Sequence, residues 1–235
     1  MSPAQAMILA AGRGERMRPL TDSRPKPLLE VHGKPLMGYH LDAFGRAGFH
    51  DVVVNTAWLG DQIEQHYGAE SGGVRIAYSH EGRDFGGALE TAGGIVRALP
   101  LLDEVFWIVA GDVFMPRFCF TREALERFAA GGKLAHLVLV PNPDHNPKGD
   151  FGLRADGVAL NAAAPRLTYS TTGLFRKSFF DPLPAGNPQG LKLALAPLLR
   201  AAIEREQVSA EPYDGPWTDV GTPQRLDSLN RSPVL

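Results

Sequence analysis

A short apolar run that leads at once into a glycine-rich turn constrains this chain more than any other feature. Residues 7–10 are Met-Ile-Leu-Ala, and Ala11-Gly12-Arg13-Gly14 follows directly. A buried parallel strand that ends in a loop with almost no side chains has this pattern. Gly12 and Gly14 allow backbone conformations closed to other residues, so that successive N–H groups can surround an anion. The pattern predicts an α/β fold with an anion-binding loop after its first strand.

The loop after this turn carries several cations. Arg16, Arg18 and Lys26 are among them, and prolines 25 and 27 bracket the lysine. Because proline fixes its own φ and restricts the residue before it, the bracket limits where the ammonium can go. A flexible glycine turn followed by a stiff basic arm suits a triphosphate.

Two well-known nucleotide loops do not match the segment. The dinucleotide fingerprint G-x-G-x-x-G needs a third glycine that opens a helix, but Met17 stands there and Pro19 follows. The Walker A pattern G-x-x-x-x-G-K-[ST] is absent as well. A glycine turn after the first strand is also common where strand and helix only pack closely, so the turn by itself does not establish a phosphate site.

Length and composition limit the remaining classes. The 235 residues allow one large α/β domain or two small ones, and 44% hydrophobic residues suffice for a globular core. The net charge of −2 gives no basic surface for nucleic acid or an anionic membrane. The single Cys119 excludes an internal disulfide and a cysteine metal cluster. With no leader-like N-terminus and no apolar run of about 18 residues, we expect a soluble cytoplasmic protein.

Strand-like and helix-like segments alternate along the first 140 residues. The predicted strands after residues 7–10 are 51–55, 74–78, 105–109 and 134–140, and the predicted helices are 35–48, 59–67, 122–130 and one that ends near residue 98. This alternation with short connections predicts a mostly parallel sheet with helices on both faces. Ligands of such sheets bind beyond the carboxyl ends of the strands, where the glycine loop lies.

The last third of the chain has a different pattern. It contains a proline-punctuated loop at 141–151, short strands at 158–160, 166–169 and 172–175, an amphipathic helix at 193–206, and a final helix capped by Thr222 with Pro223 at its first position. The short strands predict a small antiparallel lid over a pocket. We predict one domain over residues 1–235, with a core of 1–140 and 190–235 and a lid of about 141–189.

The motif L-A-A-G-R-G-E-R-M-R-P-L-T, followed by R-P-K-P-L-L, resembles the signature of the sugar-1-phosphate nucleotidylyltransferases. The resemblance runs the length of the chain, through E-T-A-G-G at 90–94, G-D at 111–112, K-G-D-F at 148–151 and W-T-D-V-G-T-P at 217–223. Within that family it points to the small bacterial N-acetylmuramate-1-phosphate uridylyltransferases of cell-wall recycling. It implies a Rossmann-like, mostly parallel mixed sheet of the nucleotide-diphospho-sugar transferase type.

The resemblance also implies a set of site residues. The residues implied to bind the nucleotide are Ala11, Gly12, Arg13, Gly14, Arg16, Lys26, Gly82, Glu90, Gly93 and Ala110. The residues implied to bind the sugar phosphate are Glu90, Asp150, Thr171 and Thr172. Asp112 and Asp219 are implied to bind Mg²⁺, and the implied catalytic residues are Arg16, Lys26, Asp112 and Asp219. Two hard carboxylates without a His or Cys partner suit Mg²⁺. Of three adjacent hydroxyls, at residues 170–172, the sequence does not say which reaches the sugar.

Other interpretations of single positions remain open. Gly93 is also typical of a helix that packs closely at its start, and Asp150 of a turn. Ala110 stands where relatives often have Asn. Because alanine has no polar side chain, only its backbone can form a polar contact with the ligand. Residues 83–85 lengthen the segment before the helix, and we expect them to form a mobile flap or to be disordered.

In the implied reaction, a sugar-1-phosphate oxygen attacks the α-phosphorus of a nucleoside triphosphate in line and pyrophosphate leaves. The attacking phosphate has a second pKa of about 6, so it needs no general base, and the chain shows no obvious Ser–His or Cys–His pair. The protein then has to align the two substrates and neutralise the charge of their phosphates. Arg16 and the loop N–H groups would hold the β- and γ-phosphates, and Lys26 would stabilise the charge at the α-phosphate.

Several alternatives remain at this point. The substrates could be a hexose or heptose 1-phosphate with dTTP, CTP or GTP, or the chain could be a nucleotide-sugar-binding homologue without turnover. A dehydrogenase is disfavoured by Met17 and Pro19. No hexapeptide repeats of an appended acetyltransferase are present. We expect small-molecule partners only, and a monomer or weak homodimer.

Overall fold

The computed structural model describes residues 3–233. Its strands are β1 (Ala4–Leu9), β2 (Glu30–Val31), β3 (Lys34–Pro35), β4 (Asp51–Thr56), β5 (Glu70–Ser71), β6 (Val74–His80), β7 (Leu102–Ala110), β8 (Val113–Phe114), β9 (Ala135–Val140), β10 (Phe151–Leu153), β11 (Ala159–Leu160), β12 (Arg166–Arg176), β13 (Val208–Pro212) and β14 (Thr218–Asp219). Its α-helices are α1 (Leu36–Arg46), α2 (Gly60–Tyr67), α3 (Glu81–Phe85), α4 (Glu90–Ala98), α5 (Arg122–Ala130), α6 (Leu195–Glu204) and α7 (Pro223–Arg231).

One ten-stranded mixed sheet organises the molecule. Its main path is β11-β10-β12-β7-β1-β4-β6-β5, and β9 joins β12 to β13. The central strands β7, β1, β4 and β6 are parallel, whereas β12 runs antiparallel to β7 and to β9. The predicted α/β fold with a mostly parallel mixed sheet is confirmed.

Helices cover the central strands on both faces, because these strands are apolar on both. All six residues of β4 are buried. Successive side chains of a strand point to opposite faces, and in β1 Met7 packs in the cluster that contains Ile95 of α4 and Leu199 of α6. Its neighbour Ile8 packs in the cluster that contains Leu41 of α1. The carboxyl end of β1 is thereby fixed between two cores.

The antiparallel strands differ from the expected lid. Residues 166–169 and 172–175 belong to one continuous strand, β12, and the register shifts between Tyr169 and Gly173. Thr171 has a φ of 58° in this irregularity, which the sequence pattern presented as a gap between two strands. Because β12 pairs with β7 and β9, these strands continue the main sheet. The division into core and lid stays a prediction.

Residues 81–85 form α3, where the sequence suggested a mobile flap or disorder. Arg83 donates to Asp61 Oδ1 at 2.6 Å and to Glu64 Oε2 at 3.0 Å. Arg97 donates to Asp84 at 2.7 Å. Phe85 packs directly on residue 190, a glycine whose added Cβ would collide with the ring. The segment is therefore held at both ends by partners distant in sequence.

The start of α7 follows its sequence signals. The Thr222 side chain accepts the Arg225 N–H at 3.4 Å, and Pro223 is the first helical residue, as predicted. None of the helices in residues 3–233 combines the length and the apolar composition that crossing a bilayer requires.

Candidate active site

A cavity of about 630 Å³ lies at the carboxyl ends of the central parallel strands. The predicted site residues that line it are Ala11, Gly12, Lys26, Glu90, Ala110, Asp112, Asp150 and Thr171. They come from the loop after β1, the basic arm, the start of α4, the end of β7 and the antiparallel strands. The fold thus brings together groups that the sequence spreads over 160 residues.

The glycine loop turns at Gly14, which has a φ of 68° in the left-handed region. A Cβ there would also lie 3.1 Å from Thr21 Cγ2 and 3.4 Å from Lys26 Cβ. Gly12, contrary to expectation, does not adopt a left-handed φ. A Cβ on Gly12 would project into open space, so the backbone on this side of the cavity is accessible to a ligand.

The basic arm delivers Lys26 into the cavity. Its Nζ forms an ion pair with Asp112 Oδ2. Residues 26–28 form one helical turn after Pro25, whose φ of −67° fixes the approach of the chain. The Lys26 side chain is only 11% exposed, whereas the Asp112 side chain is 32% exposed. Lys26 therefore has little freedom, and Asp112 keeps an open side.

The carboxylates Asp112 and Asp219 lie on neighbouring backbone segments. β8 and β14 form a small antiparallel ladder in which Asp219 is opposite Val113, and the Val220 N–H donates to Asp112 O at 2.9 Å. His40 of α1, which is buried, donates from Nε2 to Val113 O at 2.8 Å. Burial lowers the pKa of His40 to about 4, so the ring is neutral at pH 7. The ladder and this histidine fix the segment that carries Asp112.

Asp219 is only partly satisfied by its neighbours. Its Oδ2 accepts a hydrogen bond from Arg225 Nη1 at 2.7 Å. Its Oδ1 lies 2.9 Å from His145 Nε2, a histidine neighbour that was not expected from the sequence. This contact is not a hydrogen bond, and within residues 3–233 the buried oxygen has no hydrogen-bond partner. Arg16 reaches the same corner, because a Cβ on Gly221 would lie 3.2 Å from Asp219 Oδ2 and 3.3 Å from Arg16 Nη2.

These residues fit a magnesium ion. Across the described chain, no three His, Cys, Asp or Glu side chains form a complete metal cluster. Mg²⁺ is usually bound by one or two carboxylates, with water and substrate phosphates as its other ligands. A buried carboxylate oxygen without a donor and a half-open carboxylate on the adjacent segment supply that kind of incomplete site.

A buried polar network beneath the glycine loop was not predicted. Asn55 at the end of β4 accepts the Ala10 N–H at 2.8 Å and donates to Glu81 Oε1 at 2.6 Å. Glu81 Oε2 accepts the Leu89 N–H at 2.7 Å. Burial raises the pKa of Glu81, which is fully inaccessible yet borders the cavity. The signal in the sequence is that both polar residues end or follow predicted strands.

Several predicted site residues, among them Gly14, Arg16, Gly93, Thr172 and Asp219, do not line this cavity. Thr172 is fully buried with its hydroxyl 3.8 Å from Met115 Sδ, so its assignment to the sugar does not fit. Ser170 is also buried and donates to Val138 O at 2.7 Å. Thr171 alone of the three hydroxyls lines the cavity, because neighbours along a strand point to opposite faces. A Cβ on Gly93 would lie 2.5 Å from Leu191 O, which favours the packing role of Gly93.

Arg13 and Gly82 line a second cavity of about 450 Å³ that shares Ala11 with the first. Arg13 donates to Thr21 O at 2.8 Å and to an Asp22 carboxylate oxygen at 2.9 Å. Its guanidinium carbon lies 3.8 Å from the centre of the Trp58 ring. These contacts tie the Arg13 side chain to the loop itself, so Arg13 holds the glycine turn in shape.

Asp150 is held at the opposite side of the main cavity. Its Oδ2 accepts the Tyr169 N–H at 2.8 Å, and its Oδ1 accepts from Asn146 at 3.2 Å. Each oxygen keeps a further lone pair for a hydroxyl donor. Tyr169 and, from α6, Arg200 also line this side, and neither was singled out in the sequence.

Known proteins share both the sequence and the fold. Residues 5–159 match the family model described as nucleotidyl transferase. The N-acetylmuramate alpha-1-phosphate uridylyltransferase of Neisseria meningitidis serogroup B is 48% identical over 231 residues, which cover 94% of this chain and 95% of that protein. The enzyme of the same name from Caulobacter vibrioides is 32% identical over 95% of this chain and 94% of its own length.

The solved structures agree at the level of the fold. A Bacillus anthracis protein crystallised with sucrose, whose provisional assignment is glucose-1-phosphate thymidylyltransferase, superposes with a TM-score of 0.77 at 18% identity, covering 98% of this chain and 96% of its own. HddC from Yersinia pseudotuberculosis, complexed with GMP-PN, gives 0.73 at 15% identity, covering 97% and 98%. With a matched domain, whole-length relatives, and the glycine loop, Lys26 and Asp112 at one cavity, the chain belongs to the nucleotidyl transferase family.

Proposed function

We propose that the protein condenses UTP with N-acetylmuramate 1-phosphate to give UDP-N-acetylmuramate and pyrophosphate, in the recycling of cell-wall sugars. The observation that carries the proposal is the Lys26–Asp112 ion pair at the cavity, with Asp219 on the adjacent backbone segment. The two whole-length relatives with this activity in their names support the choice of substrates.

The residues of the chain supply alignment and charge. The phosphate of the sugar is largely dianionic at neutral pH, because its second pKa is about 6. One of its oxygens forms the new bond to the α-phosphorus of UTP while the bond to the β-phosphate oxygen breaks, and pyrophosphate leaves with that electron pair. Lys26 neutralises charge at the α-phosphate, and Arg16 with the N–H groups of the glycine loop holds the β- and γ-phosphates.

We propose that Asp112 and Asp219 hold Mg²⁺, the cofactor of the reaction. When bound, the ion would neutralise the facing phosphates and keep the attacking oxygen in line. Without the ion, the two carboxylates would repel a polyphosphate. The ion pairs of Lys26 with Asp112 and of Arg225 with Asp219 reduce that repulsion.

The sugar would occupy the side of the cavity that Asp150 and Thr171 line, and Glu90 would lie between the sugar and the nucleotide. We propose further that the reaction takes place in the cytoplasm, where nucleoside triphosphates are available, and that the chain acts as a monomer or weak homodimer.

A pyrophosphate-release panel tests the proposal. UTP, dTTP, CTP and GTP are each combined with the 1-phosphates of N-acetylmuramate, N-acetylglucosamine, glucose and mannose, with and without Mg²⁺. We expect the highest kcat/KM for UTP with N-acetylmuramate 1-phosphate, and only with the metal. A higher kcat/KM for another combination of triphosphate and sugar 1-phosphate would contradict the proposed substrates. Pyrophosphate release in the presence of a chelator would overturn the metal assignment.

A further inference from the structure

One cation lines the sugar side of the cavity without a carboxylate partner. Arg200 lies on α6, and its guanidinium carbon is 5.2 Å from the centre of the Phe151 ring. Within residues 3–233, no Asp or Glu oxygen forms an ion pair with it. Among the residues that line the cavity, only Lys26 and Arg200 carry a positive charge. An arginine stacked on an aromatic ring at a cavity wall is available to a ligand.

The sheet order places Arg200 away from the phosphate chemistry. Asp112 follows β7, whereas Phe151 begins β10, and β12 lies between these two strands. Neighbouring strands are about 4.8 Å apart, so the two positions are separated by roughly 10 Å. That is about the distance from the phosphate on one side of a hexose ring to an extended substituent on the other. Lys26 and Arg200 are thus placed for two different ends of one sugar phosphate.

The surroundings of Arg200 select for a carboxylate. Asp150 and Glu90 also line the cavity, and they would repel a second phosphate, with close to two negative charges, more strongly than a carboxylate with one. Neutral hydroxyls of a plain hexose would leave the guanidinium without a counter-charge. A carboxylate matches the planar fork of an arginine and forms paired, charge-assisted hydrogen bonds with it.

We infer that Arg200 is a specificity-determining residue that binds a carboxylate carried by a ring substituent of the sugar 1-phosphate. In N-acetylmuramate this group is the carboxylate of the lactyl ether on C3, which N-acetylglucosamine lacks. The inference rests on the proposed function. It means that one ion pair with Arg200 distinguishes N-acetylmuramate from N-acetylglucosamine. The buried side chains of Phe151 and Leu199 line the cavity beside Arg200, while Arg200 itself remains exposed to an incoming ligand.

The test compares the two sugars in the wild type and in three variants. Arg200→Ala removes the cation, and Arg200→Lys keeps the charge without the fork. Arg205→Ala is the matched control, because Arg205 directly follows the C-terminal end of α6, is exposed and does not line the cavity. Isothermal titration calorimetry gives Kd for UDP-N-acetylmuramate and UDP-N-acetylglucosamine, and pyrophosphate release gives kcat and KM for both sugar 1-phosphates.

We expect Arg200→Ala to weaken binding of UDP-N-acetylmuramate on the order of 10- to 100-fold, which is the range for a charged hydrogen-bonded pair. Binding of UDP-N-acetylglucosamine should not change, Arg200→Lys should be intermediate, and the control should match the wild type. Equal weakening of both ligands, or no weakening, would overturn the inference while leaving the proposed function intact. A wild type that neither binds nor converts either sugar would instead refute the proposed function.

Discussion

Lys26 and Asp112 are 86 positions apart in sequence, and in the folded chain the lysine ammonium contacts the aspartate carboxylate. The pair is asymmetric, because the lysine side chain is nearly enclosed while the aspartate remains partly open to the cavity. Asp112 can therefore take a further cation without releasing Lys26. Both groups also stay close enough to act on the same phosphate.

Removing the charge of Asp112 should abolish catalysis and leave the fold intact. For Asp112→Asn we expect an unchanged circular dichroism spectrum and a fall in Mg²⁺-dependent pyrophosphate release of at least about 10²-fold. The control Asp227→Asn removes an exposed carboxylate of α7 that pairs only with Arg231. Turnover of Asp112→Asn at the wild-type rate would refute the metal assignment.

Lys26→Ala should lower kcat by on the order of 10²–10³, and should raise KM by a smaller factor. The reason is that, in the proposed reaction, Lys26 would stabilise the charge that gathers at the α-phosphate in the transition state. Lys34→Ala is a suitable comparison, since Lys34 also pairs with an aspartate but does not line the cavity. Steady-state kinetics with UTP as the varied substrate decide the point: an effect on KM alone would mean that Lys26 binds only the ground-state phosphate.

Gly94→Ala should destabilise the protein through the network beneath the glycine loop. The new Cβ would collide with Glu81 Oε1 and lie 2.8 Å from Asn55 Nδ2, both of which are buried. We expect a loss of at least about 2 kcal/mol in the free energy of unfolding. Gly132→Ala, where a Cβ meets nothing within 4 Å, should change it by less than about 0.5 kcal/mol. Urea denaturation measures both, and equal values would contradict the predicted collision.

The buried His40 should make stability fall with acidification. Burial lowers its pKa to about 4, so in the window from pH 6.5 down to 4 the unfolded chain binds a proton that the folded chain does not. Stability from this group is present above pH 6.5 and is lost at up to about 1.4 kcal/mol per pH unit below it. The charges that act on His40 are Asp112, which raises its pKa, and Lys34, which lowers it.

His40→Gln keeps a donor for Val113 O and removes the titration. Urea denaturation between pH 7 and pH 4.5 should give the variant a shallower loss of stability than the wild type. Glu81 contributes with the opposite sign, because burial raises its pKa and its contribution is lost as pH rises, but it is common to both proteins. Parallel curves for the two proteins would mean that His40 does not titrate as described.

Local signals were enough for the elements that depend on neighbouring residues. The strand before the glycine loop, the left-handed turn at Gly14 and the Thr222 cap all follow from residues within a few positions of one another. The glycine loop after β1 and Asp112 after β7 could also be expected at one edge, because the carboxyl ends of parallel strands meet there. Glu90, Asp150 and Thr171 were implied only by the resemblance to the family.

Features that depend on distant partners could not be predicted from the sequence. Arg83 stabilises α3 through side chains about twenty residues earlier, and no local pattern reveals that pairing. Residues 166–176 form one strand through their pairing with β7 and β9, and the alternation along that strand turns Thr171, and not Thr172, toward the cavity. Arg200 lies on an amphipathic helix, and the sequence does not say against which strands that helix packs. Its place at the cavity follows only from the strand order of the sheet.

The segment before α6 ties the two sides of the cavity together. Asn187 is fully buried and donates to Gly93 O at 3.2 Å and to Leu191 O at 2.9 Å, and Leu193 O accepts the N–H groups of Ala92 and Gly93. The wall that we assign to the sugar is therefore joined by hydrogen bonds to α4, the helix that begins at Glu90. Redesign of this enzyme toward another sugar has to treat residues 187–200 and α4 as one unit, since moving either one alone would break the hydrogen bonds that join them.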